Sequence, residues 1–201
     1  YLLRQIHKVT AGETIVFHAA AGGVGQIAVQ WARHLGATVI GTTTSPEKIA
    51  LAKANGCAHV LNSKDAGWEK QVREITGGKG VQHALDCVGG ALAGELVQCL
   101  GLGGQLLVYG TLSGKSLEVP GRDLMMPLTR ISGFFLSNWL ALQSPLKLLW
   151  VLRAVKKLTC AGIFEAEVTQ VFDLEQVAEA LKAATTSGRT GKVLLRLGSG
   201  D

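Results

Sequence analysis

Residues 18–25 read His-Ala-Ala-Ala-Gly-Gly-Val-Gly, and this stretch decides how the chain folds. It follows a short apolar run at residues 14–20 and precedes apolar residues at helical spacing over residues 24–35. A strand that turns sharply into a helix through glycines leaves the free N–H groups of the helix N-terminus open to a phosphate. Ala20, Gly22 and Gly25 stand where such a turn needs small residues. We therefore predict a dinucleotide-phosphate cradle at Ala21, Gly22, Gly23, Val24 and Gly25.

The rest of the chain alternates short apolar runs with helical patterns. Predicted strands cover residues 14–20, 37–41, 59–61, 81–88, 105–109 and 131–136, separated by predicted helices at residues 24–35, 46–54, around Trp68 to Ile75, and 91–100. A helix at residues 145–157 and a strand–helix–strand series at 167–172, 174–185 and 192–197 follow. Strands alternating with helices of this length are typical of a parallel sheet covered on both faces. We predict an α/β fold with a doubly wound parallel sheet, the Rossmann arrangement.

The composition excludes several classes of protein. Apolar residues make up 47% of the chain and charged residues 17%, which is typical of a folded protein rather than a disordered one. No apolar run is long enough to span a bilayer, and the 20 Lys and Arg residues form no basic run despite the formal charge of +5. We therefore expect a cytoplasmic protein with no membrane or nucleic-acid partner. A mitochondrial location is the alternative.

The cysteines argue against a metal site. Cys57, Cys87, Cys99 and Cys160 stand far apart, and no Cys-x-x-Cys pair occurs. Buried free thiols are therefore favoured over zinc ligands or disulfides. We predict that this chain binds no metal.

The end of the second predicted strand indicates which dinucleotide is bound. NAD-specific folds usually place an acidic residue there to bind the ribose 2′-hydroxyl. This chain instead has Thr43, Thr44 and Ser45, with Lys48 in the next helix and no acid before Glu47. Hydroxyls and an ammonium group can receive a 2′-phosphate, whereas a carboxylate would repel it. The pattern favours NADP(H), although Ser45 alone could be a helix cap and Lys48 alone a surface lysine.

Several motifs together resemble the medium-chain dehydrogenase/reductase superfamily. They are the glycine turn at 18–25, Leu-Gly-Ala-Thr-Val-Ile-Gly at 35–41, Asp-Cys-Val-Gly at 86–89, the segment 104–110, and Gly-Lys-Val-Leu-Leu at 191–195. More narrowly, the chain resembles the zinc-independent quinone oxidoreductase and enoyl-thioester reductase branch. The segment 133–139, Gly-Phe-Phe-Leu-Ser-Asn-Trp, is particularly similar to mitochondrial enoyl-thioester reductases.

The resemblance implies further cofactor contacts. Cys87, Val88, Tyr109 and Gly110 would border the adenosine, ribose and nicotinamide at the carboxyl ends of strands. The backbone of Phe134, Phe135 and Leu136 would hold the carboxamide, and core packing is an equal alternative for the side chains of Tyr109 and the two Phe. Lys192 matches a C-terminal contact, and Arg189 lies close enough in sequence to reach the phosphates. Ser63 stands where several quinone reductases carry a tyrosine against the adenosine phosphate, and it completes the predicted contacts.

The resemblance also implies a domain division. Residues 1–137 would form the Rossmann domain, and residues 138–201 would partly complete it and partly belong to a substrate domain of GroES-like fold. Most of that second domain, including the tyrosine that donates a proton in enoyl reductases, would precede Tyr1. Because the chain also starts within a helical pattern and without Met, we expect a C-terminal fragment. Its catalytic residues are therefore unknown, and we expect the fragment by itself to be a poor catalyst.

These features predict an NADPH-dependent reductase that delivers hydride to a small molecule, which would be a quinone, an enone or an enoyl thioester. An enoyl-reductase module of a fatty-acid or polyketide synthase is the first alternative. A non-catalytic NADPH-binding module is the second, because the fold does not by itself imply turnover.

The predicted strand at residues 131–136, from Ile131 to Leu136, suggests a homodimer. An apolar strand near the end of a doubly wound sheet leaves unpaired N–H and C=O groups that need cover. Two copies that pair this strand about a two-fold axis would close the edge, as in related quinone reductases. In the alternative, the following segment folds over the edge and leaves a monomer.

Overall fold

The computed structural model describes residues 1–186 and 191–198, and it contains a parallel sheet with the strand order β3-β2-β1-β4-β5-β6. Every neighbouring pair in this sheet is parallel. Its strands are β1 (Thr14–Phe17), β2 (Thr38–Thr43), β3 (His59–Asn62), β4 (Val81–Asp86), β5 (Leu100–Val108) and β6 (Arg130–Gly133). Two further strands, β7 (Val168–Asp173) and β8 (Lys192–Arg196), form a separate parallel pair.

Helices follow the strands in the predicted rhythm. They are α1 (Gly23–His34), α2 (Glu47–Ala54), α3 (Trp68–Ile75), α4 (Leu92–Cys99), α5 (Gly121–Met125), α6 (Leu136–Ala141), α7 (Pro145–Cys160) and α8 (Val177–Thr185). A single π-helical turn, Leu2–Ile6, replaces the longer helix suggested by the pattern at the start of the chain, and a 3₁₀ turn, Leu174–Gln176, precedes α8. No helix in the described ranges is long and apolar enough to cross a membrane. The predicted cytoplasmic location stays a prediction.

The sheet is covered on both faces, as alternation along β1 requires. Ile15 and Phe17 pack into one buried cluster with Val29 of α1, whereas Val16 packs into the other with Trp68 of α3. Successive side chains of a strand point to opposite faces, so a strand buried on both sides reads as a continuous apolar run. The doubly wound α/β fold predicted from the sequence is confirmed.

The strand order places a topological switch at the carboxyl ends of β1 and β4. The chain moves outward from β1 to β3, then crosses back to β4 on the other side of β1. In open α/β sheets the crevice formed at such a reversal is the usual ligand site. This edge of the sheet is therefore where the functional residues should gather.

The C-terminal unit is built separately. Strands β7 and β8 pair in parallel, and α8 connects them. This arrangement agrees with the predicted strand–helix–strand series, and the domain boundary at residue 137 stays a prediction. Arg189 lies outside the described residues.

The predicted strand at residues 131–136 is wrong at its end. The strand β6 stops at Gly133, and the amide of Phe134 makes one further bond, 2.9 Å to the Val108 oxygen. Because β5 ends at Val108, the ladder has no partner beyond that point, and Leu136 begins α6 instead. A short apolar run such as Phe-Phe-Leu does not distinguish a strand from a helix by its pattern.

Candidate functional site

Within the described residues, all the predicted contact residues except Lys192 lie at or just after the carboxyl ends of the six sheet strands. The glycine turn follows β1, the Thr-Thr-Ser segment starts at the last residue of β2, and Ser63 follows β3. Cys87 and the residue after it follow β4, Tyr109 and its neighbour follow β5, and the segment 134–136 follows β6. The fold thus collects one predicted group at the end of every strand of the main sheet.

The glycine turn is tight because α1 rests on its backbone. A Cβ at Gly25 would lie 2.5 Å from the carbonyl oxygens of Ala19 and Ala20, and one at Gly22 would lie 3.0 Å from the Ala19 oxygen. Ala19 itself has a positive φ of 55°. Larger residues at these two glycines would push the helix away from the strand. The turn therefore has the close strand–helix packing that a phosphate cradle needs.

Gln26 supports the same turn and was missed in the sequence analysis. Its side chain is buried, and its Nε2 donates a 3.1 Å hydrogen bond to the carbonyl oxygen of Ala21, which is also buried. Val24 stands on the other side of α1, with 53% of its surface exposed. A buried glutamine one turn into a helix after a glycine motif is the signal that could have indicated this role.

Lys192 lies against the glycine turn, although it comes from β8 in the C-terminal unit. A Cβ on Gly23 would stand 3.1 Å from the Lys192 Cε and still nearer to its Nζ. The first turn of α1 contains no acidic residue, and within residues 1–186 and 191–198 Lys192 has no ion-pair partner. An ammonium group at the positive end of a helix is unfavourable unless an anion shares the site. The charge and the free amides of the two groups are therefore of the kind that a phosphate complements.

The residues after β2 are not equally available to a ligand. Thr43 is buried, and its hydroxyl donates a 3.1 Å bond to the Ser45 carbonyl oxygen, so it shapes the turn. The Ser45 hydroxyl donates to the carboxylate of Glu47, and this bond lowers the Glu47 pKa. Thr44 is exposed and Lys48 is partly exposed. Thr44 and Lys48 are therefore the groups best placed to receive a further phosphate.

Ser63 connects the ends of β2 and β3. Its amide donates a 2.9 Å bond to the Thr43 oxygen, and its hydroxyl lies 3.4 Å from the same atom. The hydroxyl is too far for a strong bond, so it can turn to another acceptor. This places Ser63 beside the Thr-Thr-Ser segment, at the outer end of the site.

The loop after β4 is built on Asp86, a second residue that the sequence analysis did not assign to the site. Asp86 is fully buried, and its two oxygens accept 2.8 Å and 2.9 Å bonds from the amides of Val88 and Gly89. Ser113 donates a 2.7 Å bond to the Val88 oxygen. These bonds hold Cys87 and Val88 at the end of the strand.

Cys87 and Tyr109 form a pair between β4 and β5. Their side chains are hydrogen-bonded, and burial raises the pKa of both the thiol and the phenol. A Cβ at Gly110 would lie 2.8 Å from the Cys87 oxygen, so a glycine there permits the close approach of the two strand ends. The centroid of the Tyr109 ring also lies 6.0 Å from the centroid of the Phe17 ring in the core. Tyr109 thus stays protonated at neutral pH, so it is not poised to act as a base.

His18, the first residue of the glycine-turn stretch, is a core histidine. Its Nδ1 lies 2.7 Å from the Thr42 hydroxyl, and both side chains are buried. Burial lowers the pKa of His18, and the charge of Asp86 opposes this shift. The imidazole therefore links β1 and β2 inside the fold.

The segment after β6 divides between core and surface. The Phe134 ring packs against the core, with ring centroids 5.6 Å from Tyr1 and 6.3 Å from Trp139. Phe135 and Leu136 are 65% and 56% exposed. Core packing is thus the role of the Phe134 side chain. The side chains that follow are exposed, and the Phe135 oxygen accepts a 3.0 Å bond from the Trp139 amide.

Metal ligands do not gather in this part of the protein. Within the described ranges, no group of three or more His, Cys, Asp or Glu side chains could hold a metal ion. Cys57 and Cys99 are buried, Cys87 is partly buried, and Cys160 is exposed. The residues present do not fit a zinc centre, and the predicted absence of a metal stays a prediction.

Comparisons with known proteins match this chain to one family of dehydrogenases and reductases. The model of the zinc-binding dehydrogenase family matches residues 23–150. The chain is 38% identical to the 2-haloacrylate reductase of Burkholderia sp over 97% of its own length and 59% of the relative's. It is 34% identical to the highly reducing polyketide synthase cla2 of Cladosporium cladosporioides, covering 97% of this chain and 8% of that protein. The chain therefore spans well under two thirds of these relatives.

A solved structure agrees with the sequence relatives. The quinone oxidoreductase of Escherichia coli, complexed with NADPH, superposes with a TM-score of 0.83 and 29% identity. The match covers 98% of this chain and 61% of that one.

Proposed function

The chain belongs to the zinc-binding dehydrogenase family, within the medium-chain dehydrogenases and reductases, and we propose that it is the NADPH-binding part of a reductase. The single observation that carries the proposal is the Lys192 ammonium group against Gly23 at the open N-terminus of α1. A cation and a helix N-terminus that converge without a carboxylate form an anion site, and a dinucleotide pyrophosphate fits it.

The other residues of the edge would hold the rest of the cofactor. The amides of the glycine turn, Ala21 to Gly25, would bind the pyrophosphate with Lys192, except that of Gly22, which donates a 2.8 Å bond to the Ala19 oxygen within the turn. Thr44 and Lys48, with the backbone turn shaped by Thr43 and Ser45, would receive the 2′-phosphate. Ser63, Cys87 and Val88 would border the adenosine and its ribose. The nicotinamide half would lie along Tyr109, Gly110, Phe134, Phe135 and Leu136.

The reaction we propose is reduction of a quinone, an enone or an enoyl thioester. A bound reduced nicotinamide supplies the hydride. This chain's own residues would orient the nicotinamide and shield it from water. Gly110 permits the ends of β4 and β5 to approach closely, and Tyr109 keeps its proton because burial raises its pKa. The proton that completes the reduction would come from solvent or from a donor outside the described residues.

An enoyl-reductase module of a synthase is the second candidate. It is favoured by the 34% identity to a polyketide synthase across 97% of this chain. The substrate would then be an enoyl thioester carried by the synthase, and the cofactor contacts would be the same.

The test is calorimetry followed by turnover. This chain should bind NADPH more tightly than NADH. Turnover is measured on the full-length protein, because this chain spans 59% of the length of the 2-haloacrylate reductase. The full-length protein should oxidise NADPH in the presence of a quinone, an enone or a crotonyl thioester, and reduction of the thioester alone would favour the synthase module over a quinone reductase. Binding without turnover of any substrate by the full-length protein would leave a nucleotide-binding module, and failure to bind either nucleotide contradicts the proposal.

A homodimer would complete the sheet edge. Strand β6, Arg130–Gly133, is the outermost strand next to β5. We propose that two copies pair this strand antiparallel about a two-fold axis, which gives one closed interface rather than open-ended association. Exposed apolar residues of α6 and α7 lie next in sequence, among them Leu136, Leu140, Leu149 and Trp150.

A further inference from the structure

Gln30 of α1 holds the C-terminal segment by its backbone. Its Nε2 donates a 2.6 Å bond to the carbonyl oxygen of Glu165, and its Oε1 accepts a 2.8 Å bond from the amide of the same residue. A side-chain amide that pairs with both groups of one residue fixes the position and the direction of that backbone. The two residues are 135 positions apart in the sequence.

Asn55 sets the orientation of the Gln30 amide. Its Oδ1 accepts a 2.7 Å bond from Gln30 Nε2, and its own Nδ2 donates a 2.9 Å bond to the Leu51 oxygen at the end of α2. Both Nε2 hydrogens of Gln30 and its oxygen are therefore engaged. A flipped amide would lose these bonds, so α1 and α2 together define the geometry of the contact.

The same segment positions Lys192. Two residues after Glu165, the Glu167 carbonyl oxygen accepts a 2.7 Å bond from the Lys192 amide. Gly191 has a φ of +67°, and a Cβ there would lie 2.7 Å from that oxygen, so this crossing requires a glycine. The backbone held by Gln30 thus fixes the start of β8, where Lys192 stands.

The residue that holds the C-terminal segment and the glycine that Lys192 contacts lie on the same helix. Gln30 and Gly23 are seven residues apart on α1, a rise of about 10 Å. Nearby, Trp31 meets Phe164 edge to face, with centroids 5.7 Å apart, which supports the same junction. Gln30 anchors the C-terminal segment near the far end of α1, and Lys192 returns from that segment to the helix N-terminus.

We propose that Gln30, oriented by Asn55, is a positioning residue that sets the Lys192 ammonium over the phosphate cradle and so sets the affinity for the dinucleotide. The inference rests on the proposed function, because it assumes that the cradle binds a nicotinamide dinucleotide. Lysine has a long flexible stem, so its contribution to binding depends on where its backbone is held.

The test is a double-mutant cycle between Gln30→Met and Lys192→Met, with NADPH affinity measured by calorimetry. Methionine keeps the unbranched stem of both residues and removes the hydrogen bonds or the charge. We expect Gln30→Met to weaken NADPH binding about fivefold when Lys192 is present and to have almost no effect in the Lys192→Met background. Gln30→Met should also reduce the dependence of the affinity on salt, as Lys192→Met does.

Asn55→Ala supplies a second variant that leaves Gln30 in place, and it should weaken NADPH binding in the same direction by a smaller factor. Gln143→Ala is the matched control, because among the described residues the Gln143 side chain makes its one hydrogen bond to the Trp139 oxygen of its own helical region. Equal losses from Gln30→Met in both backgrounds, with folded proteins by circular dichroism, overturn the inference while the proposed function stands. Absence of NADPH binding by the unmodified protein overturns the proposed function itself.

Discussion

The ammonium group of Lys192 lies against the backbone of Gly23, so close that a Cβ on this glycine would overlap it. Gly23 opens α1 after the first strand of the main sheet, and Lys192 opens the last strand of the chain. The proposed anion site therefore combines two units that meet only in the folded protein. Each unit can be mutated separately, so the contribution of each to nucleotide binding can be measured.

Lys192→Met should weaken the binding of NADPH and of NADH by a similar factor, roughly tenfold, because the pyrophosphate is common to both cofactors. The measurement is calorimetry with each nucleotide at two salt concentrations. Lys182→Met, on α8 of the same C-terminal unit, is the control and should change neither affinity. A loss confined to NADPH would move Lys192 to the 2′-phosphate instead.

The end of β2 should control the choice between the two nucleotides. Lys48→Ala should weaken NADPH binding by about 1 kcal/mol and leave NADH binding unchanged, since a partly exposed charge contact to a phosphate contributes less than a buried one. Glu47→Gln should have the opposite effect, because it removes a carboxylate that occupies the Ser45 hydroxyl. Lys53→Ala, in the last turn of the same helix, is the control. Parallel changes for NADH and NADPH would contradict this assignment.

The glycine turn should respond to substitution in a graded way. Gly25→Ala places a Cβ 2.5 Å from two backbone oxygens that cannot move alone, so it should destabilise the fold. Gly22→Val meets one backbone oxygen at 3.0 Å and should leave a folded protein that no longer binds dinucleotide. Gly23→Ala displaces only the flexible Lys192 side chain and should weaken binding without unfolding. Thermal melts and calorimetry separate the three outcomes, and near-native affinity in a folded Gly22→Val protein would show that this turn is not the cradle.

Stability should fall in mild acid because the buried His7 lies against a second histidine, His83. Burial, and then the charge of His83, lower the pKa of His7 from 6.5 to about 4. The rings lie 4.4 Å apart, Gln105 contacts His7 at 3.3 Å, and Glu13 approaches His83 at 3.6 Å. Because the folded pKa lies below the unfolded one, the contribution is complete above pH 6.5 and is lost as the pH falls towards 4, up to about 3 kcal/mol.

Urea unfolding from pH 7.5 to 4.5 measures this loss. His7→Gln keeps a polar partner for Gln105 and removes the titration, so its stability should vary less over this range. His59→Gln changes an exposed histidine of β3 and should follow the unmodified protein. An identical pH profile for His7→Gln would assign the acid sensitivity to other groups.

The proposed dimer should depend on the edge of β6. Gly133 is exposed, and a Cβ there would have only the Val108 oxygen at 4.0 Å, so the fold has room for Gly133→Lys. A lysine on an edge strand disfavours pairing with a second copy, and light scattering should show monomers where the unmodified protein gives dimers. Ile131 is a poorer probe because it packs against the core. A monodisperse unmodified monomer at high concentration excludes the interface.

Elements with strong local signals were predicted from the sequence with small errors at their ends. Helix α1 begins at Gly23 rather than Val24, and β2 extends to Thr43 rather than Gly41. The short helix α5 was not predicted, because Gly121–Met125 has no apolar period long enough to indicate a helix. The strand predicted to end at Leu136 failed because its hydrogen-bonding partner, β5, ends at Val108.

For the candidate site, the sequence predicted which residues stand near the strand ends, but it did not predict the hydrogen bonds that their side chains make. Thr43 and Ser45 were both predicted to face a phosphate, yet the Thr43 hydroxyl is used within the turn and that of Ser45 is shared with Glu47. Asp86 and Gln30 were not assigned to the site, since a buried aspartate that holds a loop and a glutamine that holds a distant backbone have no local pattern. The hydrogen-bond partners of such residues depend on which distant segments of the chain meet in the fold.

The sequence by itself determined the alternation of strands and helices and the place of the glycine turn, because both follow from side-chain periodicity and from local steric limits on the backbone. Only the tertiary structure decided that Lys192 meets Gly23 and that Gln30 holds Glu165. These contacts join residues far apart in the chain, and the packing of the C-terminal unit against α1 brings them together. Local preferences act over a few residues, whereas a binding site is assembled by the whole fold.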